Sequence, residues 1–404
     1  MNQQAKPSRM RSGVIKRGNT WSYVLRVADS SGGQKQKWIG GFKTEREAKL
    51  ARAKALAEID KGSFASPSRI TLGEYLEEWL KGRELELKPK TLDGYRYLAR
   101  SFIIPSLGRV ALQKLTPRRI TNFYQELAIS GGKSGNGLAR TTVNRIAALL
   151  KKVLRDAVFI DQLLSANPAE RATVPRKTQE VSKSQLWAAQ ELRSFMETAE
   201  SHRLYALYWL AAYTGMRRGE IVALRWSDVD FEKKLIRVHR SVTLTDAGRV
   251  EGTAKSGKER FVAFDDQTKS VLQAHRLMQV SDMELVQDSW EGTDYVFCTE
   301  FGLPLYPTTL THLFQKLIER HNAEHSEEKL AKIRFHDLRH VHATLLLEAG
   351  VPVHVVAARL GHADPSITLR TYAHVLGSQE TTAAITFALS IDASVAQARL
   401  DNNE

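Results

Sequence analysis

Cysteine is nearly missing. The one thiol in 404 residues, Cys298 in YVFCTE, excludes an internal disulfide framework and any zinc site built from several thiolates. Beside Val296 and Phe297 it reads as buried filler. No run of about 18 apolar residues occurs, so a membrane-spanning helix is not expected. The opening MNQQAKPSRMRSG has no apolar stretch of the secretory type, which makes the cytoplasm the expected compartment. There is no internal repeat and no low-complexity tract. Acidic residues are in short supply: 45 against 59 Lys+Arg leaves a net +14 and a pI near 9.7, which suits a polyanionic partner. The imbalance is uneven, because residues 1–65 hold 14 basic and 5 acidic side chains, a net +9. Nucleic acid is the leading partner. An anionic membrane stands behind it, since no basic helix with a Trp/Phe face is visible.

Apolar residues are plentiful, at 42%, and the length allows two or three domains. In GVIKRGNTWSYVLRVADSSGGQKQKWIGGF, Trp21, Tyr23, Leu25 and Val27 alternate onto one face, and Gly18-Asn19 and the Ser30–Gly33 run are turn chemistry. The pattern predicts a three-stranded antiparallel sheet. Thr44 and Glu47 have capping-box spacing before a helix that Gly62 closes. After the linker SFASPSR the chain reads as helices: Thr71 and Glu74 cap one, Lys90 to Ser101 form another, and Thr116-Pro117 opens a third. In ARTTVNRIAALLKKVLRDAV, Val143, Ile146, Leu150, Val153 and Leu154 make a stripe, with Arg140, Arg145, Lys151, Lys152 and Arg155 largely elsewhere. A second linker, NPAERATVPRKTQEVSKS, leads to two helices, a short β-meander through KLIRVHRSVTL and GTAKSGKERFVAF, and helices again. The expected fold is multidomain α+β: a β-β-β-α domain over 1–65, a helical domain with its linker over 66–175, and a mainly α domain with a small antiparallel sheet over 176–404.

Several short motifs carry chemistry. YTGMRRGEIVALRW sets two arginines and Glu220 at a helix start. AKSGKERFVAF places Lys255 at a strand end, with Ser256-Gly257 as the turn. FHDLRHVHATLLLEAG puts His336 and Arg339 three apart, on one helical face, beside an apolar helix that ends at Gly350. LGHADPSITLRTYAHV follows, with His362 and Tyr372 ten apart.

Taken in order, TGMRRGE, KSG, HDLRH, LGH and TYAHV resemble the tyrosine recombinases, the family of phage integrases and Xer-type recombinases. The resemblance spans roughly the last 200 residues. It implies that Arg217 and Arg339 are the catalytic arginines, Lys255 the hairpin lysine, His336 and His362 the catalytic histidines and Tyr372 the nucleophile. Glu220 would brace the active-site arginine; Arg218 and Arg370 fall outside the set. The basic N-terminus and helical middle look like arm-binding and core-binding domains. Elementary chemistry agrees. Attack on a phosphodiester builds negative charge that two permanently charged, fork-shaped guanidiniums can bind, so no metal or other cofactor is required. A phenol with a pKa of about 10 needs about 4 kcal/mol of help to ionise at pH 7. His336 is a candidate proton acceptor, His362 a donor to a phosphate oxygen, and Lys255 the general acid for the leaving 5′-oxygen.

The resemblance implies double-stranded DNA with core and arm attachment sites as partner, a homotetramer on DNA, and a directionality factor and a host DNA-bending protein as further partners. The compartment would be the cytoplasm, at the nucleoid, of a bacterial host. The segment AAITFALSIDASVAQARL would form a helix docked on a neighbouring protomer or on its own domain. Three rivals remain. A zinc protease would use His336 and His340, but His342 cannot share their face and no third ligand is indicated. His340 and His342 read as packing or DNA-adjacent residues. A non-catalytic DNA-binding regulator would leave six filled catalytic positions unexplained, and a type IB topoisomerase would not need the basic β-domain.

Overall fold

The computed structural model describes residues 13–28, 34–60, 68–132, 135–176, 186–254, 258–292, 294–362, 364–369, 372, 385, 387–389 and 391. The chain divides into two compact units, residues 1–180 and 181–404.

The first unit contains two separate apolar cores. Strands β1 (Val14–Arg17), β2 (Thr20–Ala28) and β3 (Gln34–Phe42) form an antiparallel sheet in that order, Gly18 turning the first corner at φ +60°. Alternation buries Tyr23 and Leu25 with Ala48 and Ala55 of helix α1 (Glu45–Asp60), and Trp21 packs beside them. The side chain of Val27 lies outside the described set, as does Gly62. The expected capping box is present: the Glu47 carboxylate accepts from the Lys43 and Thr44 amides, and Thr44 Oγ1 accepts from the Glu47 amide.

The second core is helical. Helix α2 (Leu72–Gly82) starts in a complete Thr71/Glu74 capping box. The next segment forms as expected but not uniformly: α3 (Pro89–Leu98) passes through a π-turn at Ala99–Ile103 into α4 (Ile104–Leu107). Pro105 has no N–H to give to the carbonyl four residues back, so the ladder slips by one and Ile104 N donates to Ala99 O. Helix α5 (Pro117–Ser130) is capped by Thr116. In α6 (Arg140–Phe159) Val143, Ile146, Leu150, Val153 and Leu154 are buried while Arg140, Arg145, Lys151 and Arg155 are exposed. Lys152 is the exception, half-buried over the rings of Trp79 and Tyr95. Asp156 ties α2 to α6 by accepting from Trp79 Nε1 at 2.9 Å and Arg83 Nη2 at 2.7 Å.

The second unit is mostly helical around a large core. Helix α7 (Ala189–Ala199) precedes α8 (Tyr205–Thr214), which is apolar on nearly every side and buried. One turn, α9 (Arg218–Ile221), follows. The strands are β4 (Val229–Asp230), β5 (Leu235–Val238), β6 (Arg240–Thr245), β7 (Gly248–Thr253) and β8 (Arg260–Ala263). They do not form the expected meander. The orders are β4-β5-β8 and, separately, β6-β7, so β7 does not pair with β8. Asp228 explains the break: it bonds His239 Nε2 at 3.0 Å and takes Arg240 Nη2 on both oxygens, which pulls the chain out of the first sheet after Val238. Helices α10 (Asp266–Val286), α11 (Pro307–Glu324), α12 (Asp337–Glu348) and α13 (Val353–Leu360) complete the unit. Cys298 is buried core, as expected. Among the described residues no helix is long and apolar enough to cross a membrane. The segment expected as a C-terminal helix is described only at 385, 387–389 and 391, which are helical, with Ile385, Phe387, Leu389 and Ile391 exposed.

Candidate active site

Two helix ends and one buried carboxylate build the site. Gly215 ends α8 and Gly361 ends α13, each in the left-handed region, at φ +62° and +68°. A side chain at Gly215 would collide with Leu360 and His342, and one at Gly361 would press on Arg260. Their carbonyls hold the two arginines of the motifs. Arg339 Nη1 donates to Gly215 O at 2.8 Å, and Arg217 Nη2 donates to Gly361 O at 3.0 Å. The TG and LG dipeptides are thus helix caps that aim guanidiniums.

Glu220 is the carboxylate, 2% exposed. It accepts from the Arg217 amide at 2.9 Å and from Arg217 Nη1 at 3.0 Å, closing the α9 turn. Arg260, at the start of β8, then donates to both Glu220 oxygens, at 3.0 and 2.7 Å, and to Arg359 O. Burial opposes the charge of Glu220, but the guanidiniums of Arg260 and Arg217 outweigh it and hold its pKa below the usual carboxylate value. Arg260 belongs to none of the motifs TGMRRGE, KSG, HDLRH, LGH and TYAHV. It lies forty residues from its partner, and nothing in the local pattern marks it.

Two guanidiniums are therefore bound to the one Glu220 carboxylate and a third, that of Arg339, stands in the same charge field, so the surplus is positive. Arg339 carries the strain of it. Burial, then the charge of Arg217, lowers its pKa, and its Nη2 is buried with no partner among the described residues. A buried cationic donor without an acceptor is costly by itself and stabilised by an incoming anion. Arg218 takes no part; its Nη1 donates to Thr311 Oγ1.

The histidines divide by role. His336 occupies the N-cap position of α12 without a side-chain capping bond and has an exposed surface; desolvation by the neighbouring protein, then the charges of His340 and Arg339, lowers its pKa to about 4. His362 is half-buried, with Nδ1 2.6 Å from Thr368 Oγ1; burial and the charges of Arg339, Arg217 and Arg260 bring it to about 4. Thr368 is itself fixed by the Asp364-Pro365 turn, where Thr368 N and Leu369 N donate to Pro365 O. That is the use of the polar run between His362 and Tyr372. His342 is a packing residue: Nδ1 bonds Ala212 O at 2.8 Å and Nε2 accepts from Arg359 Nε at 3.0 Å, locking α12 to α8 and α13.

Tyr372 is 2% exposed, packed with Ala343, Leu347, Val356 and Leu360. Its hydroxyl lies 2.7 Å from His340 Nδ1, so the histidine at the phenol is His340 and not His336. Burial raises the phenol to about 12 against the opposing pull of Arg339. Ionising it at pH 7 would cost about 7 kcal/mol, nearly twice the cost for a free phenol. Lys255 and Arg370 lie outside the described residues. No group of three or more metal-ligating side chains occurs among the described residues, so His336, His340 and His342 do not assemble the protease site.

A stability prediction follows from two deeply buried histidines away from the phenol, His275 and His342, each lowered to about 4, chiefly by burial. The unfolded chain takes up their protons below its pKa of about 6.5 and the fold refuses them until about 4. Stability should be flat above pH 6.5 and fall as pH drops toward 4, by on the order of 2–3 kcal/mol for each. Calorimetric melting of the free protein across that range checks it.

A phage integrase family model matches residues 185–378, a phage integrase N-terminal SAM-like domain matches 71–128, and an arm DNA-binding domain matches 14–59. A tyrosine recombinase XerC-like protein of Caldanaerobacter subterraneus subsp. tengcongensis is 29% identical over 365 residues, covering 85% of this chain and 89% of the relative. The ICEBs1 integrase of Bacillus subtilis is 25% identical, over 83% and 88%. Among solved structures, the Tn1549 transposon integrase in complex with transposon right end DNA aligns at TM-score 0.65 and 20% identity, over 78% of this chain and 99% of that one. A lambda integrase tetramer bound to a Holliday junction aligns at TM-score 0.53 and 18% identity, over 90% and 96%. At these identities the structural likeness concerns the fold.

Proposed function

The chain belongs to the phage integrase family of tyrosine recombinases, and from that premise we propose that it cuts and rejoins DNA site-specifically through a 3′-phosphotyrosyl intermediate at Tyr372. The observation that carries the reading is the positive surplus of the guanidinium cluster, with an Arg339 Nη2 that has no partner among the described residues, beside a buried, hydrogen-bonded phenol. A phosphodiester brings one negative charge and a second as the five-coordinate state forms, which suits a site where Glu220 pairs with Arg217 and Arg260 and Arg339 adds a further positive charge. Arg217 and Arg339 clamp the non-bridging oxygens, while Glu220 and Arg260 brace Arg217. His362 has its Nδ1 engaged by Thr368, which leaves Nε2 for a phosphate oxygen. His336 lies at the exposed edge of the same charge field. Lys255 is the general acid that protonates the leaving 5′-oxygen. Because phenolate leaves more readily than alkoxide, an incoming 5′-hydroxyl reverses the step without an external energy source, and the reaction needs no metal.

The domain scheme is part of the proposal: 1–65 grips arm sites, 66–175 and 176–404 hold core sites, and a tetramer assembles on two duplexes, with a directionality factor and a DNA-bending protein as helpers at the nucleoid. The arm DNA-binding match over residues 14–59 supports the arm role, and the lambda integrase tetramer on a Holliday junction supports the tetramer. The test is a denaturing gel with a nicked substrate whose cut end diffuses away. A trapped adduct mapping by mass spectrometry to Tyr372 supports the reading; DNA binding without any adduct would support a regulator. Deleting residues 1–65 should leave cleavage of an isolated core site within about threefold of the full chain but reduce integrative recombination at least about tenfold, through lost phosphate contacts. A recombination assay on paired attachment sites measures it.

A further inference from the structure

The hydrogen bond between Tyr372 and His340 is not explained by any role assigned above. We propose that His340 is the proton acceptor for Tyr372 during strand cleavage and the donor that returns the proton during rejoining. This rests on the reading of Tyr372 as nucleophile and changes which residue activates it.

The geometry carries the argument. His340 Nδ1 is 2.7 Å from Tyr372 Oη, the distance for a direct transfer. The rings lie 5.8 Å apart between centroids, tilted by 51°, in line with a hydrogen bond and not with stacking. His336 stands edge-on to His340 at 5.5 Å, on the exposed side of the helix start. Of the two partners, phenol is the stronger acid and neutral imidazole the better acceptor, so Tyr372 donates and the ring proton of His340 lies on Nε2. The surroundings keep His340 unprotonated before the reaction: burial disfavours its charge, as do Arg339 beside it and Arg334. Asp337, one turn earlier on α12, favours the imidazolium once it forms. A base that is empty in the ground state and supported when protonated meets both needs of the step.

The balance closes. As Tyr372 Oη forms its bond to phosphorus, its proton passes to His340 Nδ1, the bond from phosphorus to the 5′-oxygen breaks, and Lys255 gives that oxygen a proton. In rejoining, the 5′-hydroxyl attacks, its proton returns to Lys255, and His340 hands its own back to the departing phenolate.

The experiment is single-turnover adduct formation on the nicked substrate with wild type, His340→Ala and His340→Gln across about pH 6–9, with DNA binding measured in parallel. The expected result is cleavage about 10²–10⁴-fold slower with binding retained, and a rate that climbs about tenfold per pH unit where wild type is nearly flat, because the phenol must then ionise unaided. A ring-fluorinated tyrosine of lower pKa at position 372 should speed both variants and not wild type. The glutamine variant keeps volume and an acceptor oxygen but no basicity, so it decides the matter if the alanine variant is unstable. Cleavage within about threefold of wild type, or slow cleavage with the wild-type pH profile and no gain from fluorination, overturns the proposal. An adduct mapped to another residue in wild type would instead overturn the assignment of Tyr372.

Discussion

Tyr372→Phe should bind its DNA site as wild type does and yield no covalent adduct on a nicked substrate, a loss of activity to the detection limit. The reason for such a clean separation is local. The ring fills a pocket made by Ala343, Leu347, Val356 and Leu360, which phenylalanine fills equally well. The one interaction removed is the hydrogen bond to His340, worth about 1 kcal/mol net to stability. The hydroxyl is also the only atom the chemistry requires there. Denaturing gels for the adduct and gel shifts for binding measure both halves. A persistent adduct would place the nucleophile elsewhere and dismantle the proposed mechanism.

Glu220→Gln should strongly destabilise the second unit. Glu220 has both oxygens committed to Arg260, one shared with the Arg217 guanidinium and the other with the Arg217 amide, and it is buried. Glutamine preserves the volume but removes the carboxylate that pairs with those guanidiniums, and its amide N–H₂ points donors at donors. Removing one member of a buried ion network costs about 3–5 kcal/mol. For a unit of this size that lowers the melting midpoint by about 6–20 °C. Added sulfate should recover part of the loss by occupying the cationic pocket. Cleavage should fall as well, since Arg217 loses the brace that fixes its fork. Calorimetry with and without sulfate tests it; an unchanged midpoint would mean that the arginines are compensated by some other group.

The motif order marks the proposed site through its resemblance to a family, and within it two pairs are local. His336 and Arg339 share one end of α12, Arg217 and Glu220 share one turn, and short-range patterns of that kind survive in a linear reading. The capping boxes at Thr44 and Thr71 and the stripe on α6 were legible for the same reason. Three things were not. Arg260 reaches Glu220 across forty residues. The strand order depends on Asp228 drawing His239 and Arg240 out of line, which a period-two pattern cannot register. His340 and His342 look alike in HDLRHVHAT, yet one meets the phenol and the other is wedged between Ala212 and Arg359.

The class of fold, the basic character and the kinds of side chain available for phosphoryl chemistry follow from composition, periodicity and motif order, which are properties of the chain alone. Which of those side chains meet is settled in three dimensions. Contacts between residues far apart in the chain are set by packing, and the burial that comes with packing is what leaves a guanidinium without a partner and a phenol hard to ionise.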